Sequence, residues 1–159
     1  MGIRDGAHGT ARGRQGGRVT DCPFCAIVAG EAAAATVFRS TEAVAFLDRS
    51  PVFFGHALVV PCEHYATLAD MPTDLLGGYF RVVQRIAAVL PAALGCEGTW
   101  VSINNGVSQS VPHLHVHIVP RRRKDGLRGF YWPRVRYGSQ EEMNEVAERI
   151  IGVLDDAKS

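Results

Sequence analysis

The chain has 159 residues, 47% of them apolar and 21% charged, with a formal net charge of +1. That length can bury a hydrophobic core, and the composition is that of an ordinary globular domain, which excludes collagenous and low-complexity classes. No apolar run approaches the about 18 residues of a membrane span.

Residues 1–20, MGIRDGAHGTARGRQGGRVT, are rich in glycine and arginine and lack the apolar stretch of a secretory signal. They read as a disordered tail, or as an overlong start of the reading frame. The tail takes four of the 17 basic residues and one of the 16 acidic ones, leaving 13 against 15 and a net charge of −2 for residues 21–159. Such a domain is poorly suited to a nucleic-acid backbone, and a Gly/Arg tail would touch RNA only weakly. With no export signal, a cytoplasmic location is expected, and Cys22, Cys25, Cys62 and Cys96 are expected as free thiols. Cys22-x-x-Cys25 then reads as metal ligands or a redox pair.

Further along, TVFRSTEAVAFLD (36–48) predicts two short strands joined at Ser40-Thr41. GHALVVP (55–61) is a branched apolar strand stopped by Pro61. Residues 73–90 carry apolar pairs at 75/76, 79/80, 82/83, 86/87 and 89/90, a helical period. Thr73 or Asp74 can cap that helix, Pro91 is expected to end or kink it, and Gly95 closes the region. GTWVSINN (98–105) and VPHLHVHIVP (111–120) are further strands. Residues 139–156 open with a capping box, Ser139-x-x-Glu142, and continue with a stripe of Met143, Val146, Ala147, Ile150, Ile151 and Leu154. Neighbouring strands mostly lack a helical crossover, so the class is α+β with an antiparallel sheet.

Three histidines alternate in the last strand. Alternate strand residues share a face, so His113, His115 and His117 point one way, into a cleft, and Leu114, Val116 and Ile118 point into a core. Neighbours on one face stand roughly 6.5–7 Å apart, so a regular strand cannot aim all three rings at one metal. The row is therefore divided. A histidine held in one tautomer by a neighbour keeps its other ring nitrogen free as a nucleophile. The run Arg121 to Lys124 reads as a solvated loop, or as a source of positive potential for a polyanionic substrate.

HLHVHIV resembles the alternating histidine signature of the histidine triad superfamily of nucleotide hydrolases and transferases. The resemblance runs from about Cys22 to Arg122 and takes in CPFC, AFLD, GHALVVPCEH, the long helix, INNG and QSVPHLHVHIVPR. The SVPH form is closest to the dinucleoside-polyphosphate-hydrolysing branch. The resemblance implies a five-stranded antiparallel sheet with two main helices in a single domain over 21–159. It also implies a homodimer whose ten-stranded sheet pairs through the long helix and the strand near Trp100. It implies a nucleotidyl-histidine on His115, phosphate contact by His117, and His56 near the triad. Gln109 and Ser110 would bond phosphate oxygens and the leaving group. Asp48 would accept from ribose hydroxyls of a purine nucleotide, Asn104 would line the phosphate or ribose side, and Phe46 and Leu47 would contact the base.

Zinc-bearing members of the superfamily imply a Cys₂His₂ set of Cys22, Cys25, His64 and His113, structural because four protein ligands close the site. A redox pair, an empty pair, and Cys62 in place of His64 remain as alternatives. The chain departs from the family in its short NNGVSQS turn, with Ser108 where glycine is common, and in Cys62 where lysine is frequent. Phe130, Tyr131 and Trp132 would stack on the second moiety of a substrate, or serve a dimer contact or a core-capping loop. The expected activity is hydrolysis of a dinucleoside polyphosphate or nucleoside phosphoramidate. A phosphorylase or nucleotidyl transferase, or a non-catalytic nucleotide-binding module, is the alternative.

Overall fold

The computed structural model describes residues 21–127 and 136–156. The tail and the Phe130, Tyr131, Trp132 segment lie outside the described residues. Those through Asp125 form one compact unit, and those from Gly126 onward form a second.

In the first unit the elements run α1 (Pro23–Ala29), β1 (Thr36–Arg39), β2 (Ala43–Leu47), β3 (Ala57–Pro61), a 3₁₀ turn (Leu68–Asp70), α2 (Thr73–Leu94), β4 (Gly98–Ile103) and β5 (Val116–Arg121). The strands form one antiparallel sheet in the order β1-β2-β3-β5-β4. The α+β architecture is as the sequence predicts.

Alternation along β2 and β3 builds two cores. Ala43, Ala45, Ala57 and Val59 face α2, joined by Leu114, Val116 and Ile118. Val44, Phe46, Leu58 and Val60 face the other way, against Phe24 of α1. Small residues on the α2 side let the helix approach closely. The α2 stripe of Tyr79, Val82, Val83, Ile86 and Leu90 is buried there. Each fully buried side chain of this size contributes about 1.5–3 kcal/mol. The Tyr79 hydroxyl donates to the Val59 carbonyl at 2.8 Å, so its burial leaves no orphan.

Three expectations need correction. First, α2 does not end at Pro91 but runs on to Leu94; it closes at Gly95, φ +61°, as expected. Pro91 lies one turn from the end, and burial of Leu90 holds the preceding residue helical. Second, the residue that opens α2 is Pro72, with no side-chain cap; Thr73 and Asp74 are already helical. Third, β5 begins only at Val116, so His113 and His115 sit on the irregular entry to the strand.

The sequence reading contains no helix at Cys22–Cys25, yet α1 forms there. Pro23 stands in its first turn, and Gly30, at φ +78°, closes it by donating to Ala26 and Ile27 carbonyls. At seven residues it is too short to display a period.

In the second unit, α3 spans Gln140–Asp156. The Ser139 hydroxyl accepts from the Glu142 amide at 3.2 Å, half of the expected capping box. Its apolar stripe is exposed at Met143, Ile150 and Ile151. No helix among the described residues is long and apolar enough to cross a membrane.

Candidate active site and metal centre

The histidine row divides, but not around an open cleft. His113 and His115 are buried, at 0% and 3% exposure, and only His117 is half-buried. The row faces the core beneath α1, while Leu114, Val116 and Ile118 are fully buried on the opposite face.

His115 donates from Nδ1 to the carbonyl of His113 at 2.7 Å. A carbonyl only accepts, so the proton sits on Nδ1 and the Nε2 lone pair is bare. Nε2 has no hydrogen-bond partner among the described residues. The His117 ring stands edge-on, its centroid 4.8 Å from that of His115.

A second chain of bonds orders His117. The Val52 amide donates to Nδ1 of His56 at 3.3 Å, which leaves the His56 proton on Nε2. Nε2 of His56 lies 3.0 Å from Nδ1 of His117 and donates to it. The His117 proton is thereby assigned to Nε2, a buried donor without a partner among the described residues. An unpaired buried N–H costs about 1–3 kcal/mol, so this one is poised for an acceptor that arrives with a ligand.

Burial disfavours the charged forms of His117 and His56. It pulls His117 down to about 4, with neighbouring His115 and His56 adding to the effect and Asp48 opposing it. His56 is lowered for the same reason, against the pull of the Asp48 carboxylate 3.6 Å from its Nδ1.

The other expected residues sit at varied depth. Gln109 is committed to the backbone: its Oε1 accepts from the Gly106 amide at 2.8 Å and its Nε2 donates to the Ala66 carbonyl at 2.7 Å. It braces the loop, with one amide hydrogen to spare. Ser110 is exposed, and Asn104 and Asp48 are half-buried. Asp48 accepts from the Ser50 amide at 2.8 Å. Leu47 is 37% exposed, whereas Phe46 is buried edge-on against Phe24.

Cys22, Cys25, His64 and His113 converge, with one donor atom from each within 4.8 Å of all the others. Sγ of Cys22 lies 3.4 Å from Nδ1 of His113, and Sγ of Cys25 lies 3.3 Å from Nδ1 of His64 and 3.5 Å from Nδ1 of His113. Tetrahedral zinc with ordinary bond lengths sets sulfur–nitrogen edges of about 3.6 Å. Nε2 of His113 donates to the Pro61 carbonyl at 3.1 Å, which bares Nδ1 toward the sulfurs, the arrangement a metal-ligating histidine adopts. Burial and the nearby Cys22 push the Cys25 thiol up to about 11, a balance that a divalent cation reverses. The set can therefore hold a metal. Cys62 is not in it and instead meets the Ser40 carbonyl at 3.5 Å.

Phe24 went unnoticed in the sequence. Its ring stands edge-on to both His113 and His115, with centroids 5.9 and 5.2 Å away. The available signal was a large apolar residue inside the CxxC.

The profile of the HIT domain matches residues 29–124. An uncharacterized HIT-like protein of Methanocaldococcus jannaschii is 37% identical over 135 residues, 82% of this chain and 99% of that one. The adenosine 5'-monophosphoramidase of Schizosaccharomyces pombe is 33% identical over 131 residues, 81% of this chain and 95% of that one. A crystal structure of a HIT family member from Bacillus subtilis superposes with a TM-score of 0.76 at 32% identity, covering 83% of this chain and 96% of that one. A zinc-bound histidine triad family protein from Mycobacterium smegmatis gives 0.65 at 35% identity, covering 87% and 98%.

Proposed function

The chain belongs to the HIT domain family, and from that membership we propose that it hydrolyses a nucleoside phosphate derivative through a nucleotidyl intermediate on His115. The substrate is a purine dinucleoside polyphosphate or a nucleoside phosphoramidate. One observation carries the reading: the His115 proton is tied to the His113 carbonyl, leaving Nε2 bare beside the unpartnered N–H of His117. The adenosine 5'-monophosphoramidase name of the fission-yeast relative supports the phosphoramidate class.

In the first step Nε2 of His115 bonds the α-phosphorus as the bond to the leaving group breaks, its electron pair departing with that group. The leaving group takes its proton from solvent, directly or relayed through the Ser110 hydroxyl, which regains a proton as it gives one. The His117 N–H donates to a non-bridging oxygen, where negative charge must be stabilised, without reorganising first. The spare Gln109 hydrogen offers a further donor. Asp48, Leu47 and Asn104 bind the nucleoside portion, with buried Phe46 packed behind them. In the second step water bonds phosphorus, the phosphorus–nitrogen bond breaks, and its pair returns to Nε2. The products are a nucleoside monophosphate and a proton to solvent.

Cys22, Cys25, His64 and His113 would hold zinc, which supplies structural cross-linking and no chemistry. A homodimer and a cytoplasmic location belong to the same reading. The sheet edge at β4 exposes Val101, and α2 exposes Val89, both apolar surfaces suited to a second copy.

His115→Ala tests the mechanism. Turnover of adenosine 5'-phosphoramidate and of diadenosine polyphosphates should vanish, while nucleotide binding and the thermal midpoint are retained. Undiminished turnover rejects the proposal.

A further inference from the structure

We propose that the Cys22, Cys25, His64 and His113 cluster sets the geometry of His115, with Phe24 as the positioning residue between them. This deepens the function proposed above, because it takes His115 as the reacting residue.

Two links join the cluster to His115. The first is covalent and short. His113 belongs to the cluster through its ring, and its own carbonyl accepts the His115 proton at 2.7 Å. Any rotation of the His113 backbone therefore moves the acceptor that selects the His115 tautomer. The His113 ring is held at its far side by the Pro61 carbonyl, so the residue has little freedom once its near side is engaged.

The second link is a packed ring. Phe24 sits between Cys22 and Cys25 in sequence, on the first turn of α1, and is 8% exposed. Its ring meets His115 at 79° and 5.2 Å, and His113 at 67° and 5.9 Å. Edge-to-face contact of this kind prefers one ring orientation, unlike aliphatic packing. Phe46 backs Phe24 from the sheet at 5.5 Å. Cysteine ligation on both sides of Phe24 fixes the turn that carries it. Phe24 then restrains the plane of His115 while the carbonyl restrains its proton. A nucleophile displaced by a fraction of an ångström loses in-line alignment.

A side chain that merely filled this core would be replaceable by another apolar one of similar size. The test is Phe24→Leu in the full-length, zinc-loaded protein, with adenosine 5'-phosphoramidate as substrate and ¹⁵N-labelled histidine. Bound zinc should match wild type. The value of kcat should fall about 10–100-fold, with KM within about twofold of wild type. The ring-nitrogen resonances of His115, widely separated in a fixed tautomer, should broaden or converge. Stripping zinc from wild type with a chelator should do the same to those resonances. The proposal is overturned if either kcat or the His115 resonances of the zinc-loaded variant stay at wild-type values, whatever happens to thermal stability. It is equally overturned if zinc is lost along with activity. Should wild type fail to turn over substrate, the function proposed above fails, while the zinc and resonance measurements still decide the coupling.

Discussion

His115 and His117 carry the same ring and opposite tautomers. The difference comes from one neighbour each: a carbonyl can only accept, which puts the His115 proton on Nδ1, and the donor on His56 forces the His117 proton to Nε2. A single residue in the adjoining loop shows the same local logic. Ser108 has φ +58°, in the left-handed region, two residues beyond Gly106 at φ +77°. The sequence comparison with the histidine triad pattern marks this position as one where glycine is common, and the backbone supplies the reason. A Cβ in that region costs about 1–2 kcal/mol, partly offset by the greater entropy of unfolded glycine. Ser108→Gly should raise stability by about 0.5–1 kcal/mol in chemical denaturation. A lower midpoint would show that the serine side chain holds the loop.

At the scale of elements, α1 is the piece least able to stand alone. Seven residues are far below the length at which an isolated helix persists. Tertiary contacts must hold it: Phe24 in the core, the two cysteines in the cluster, and the Arg39 guanidinium, which donates to the carbonyls of Val28 at 2.7 Å and Ile27 at 3.2 Å. If the cluster holds zinc as proposed, Cys25→Ser removes one of its four donors and should abolish stoichiometric zinc by elemental analysis, at a stability cost of more than about 3 kcal/mol. Metal-free wild type of full stability would end the zinc reading. The β2–β3 loop is placed in a different manner. Gly55, at φ +92°, lies so close to Leu94 that a Cβ would collide with its side chain. That contact seats the segment carrying Asp48, Val52 and His56 against the end of α2.

For the whole molecule, the lowered pKa values of His117 and His56 make folding sensitive to acid. His117 titrates near 4 in the folded state because burial, with His115 and His56 facing it, disfavours its charge, and Asp48 only partly compensates. An unfolded histidine titrates near about 6.5. Between those values the unfolded chain binds more protons, so stability falls as pH falls. The contribution is whole above about 6.5 and is lost as pH drops through about 4. His56 is shifted in the same direction. Denaturation midpoints should therefore decline from pH 7 to pH 4.5, and His117→Asn should flatten the slope. A parallel slope in that variant would show that other groups set the acid limit.

Local patterns alone determined much of this protein. The period of residues 73–90 marks α2, and the apolar runs at 43–47 and 57–61 mark strands, which the fold then covers on both faces. The three alternating histidines and the CxxC pointed to the HIT family, because side-chain direction in an extended segment follows from backbone geometry. The tertiary structure decided which partner each ring meets. Cys22 meets His113 across 91 residues, and Cys25 meets it across 88. His56 meets His117 across 61. The start of β5 at Val116, the passage of α2 through Pro91, and the place of Phe24 beside His115 likewise depend on packing between distant segments. A tautomer is chosen by whichever acceptor or donor stands within hydrogen-bond reach. Only the folded chain brings that partner there.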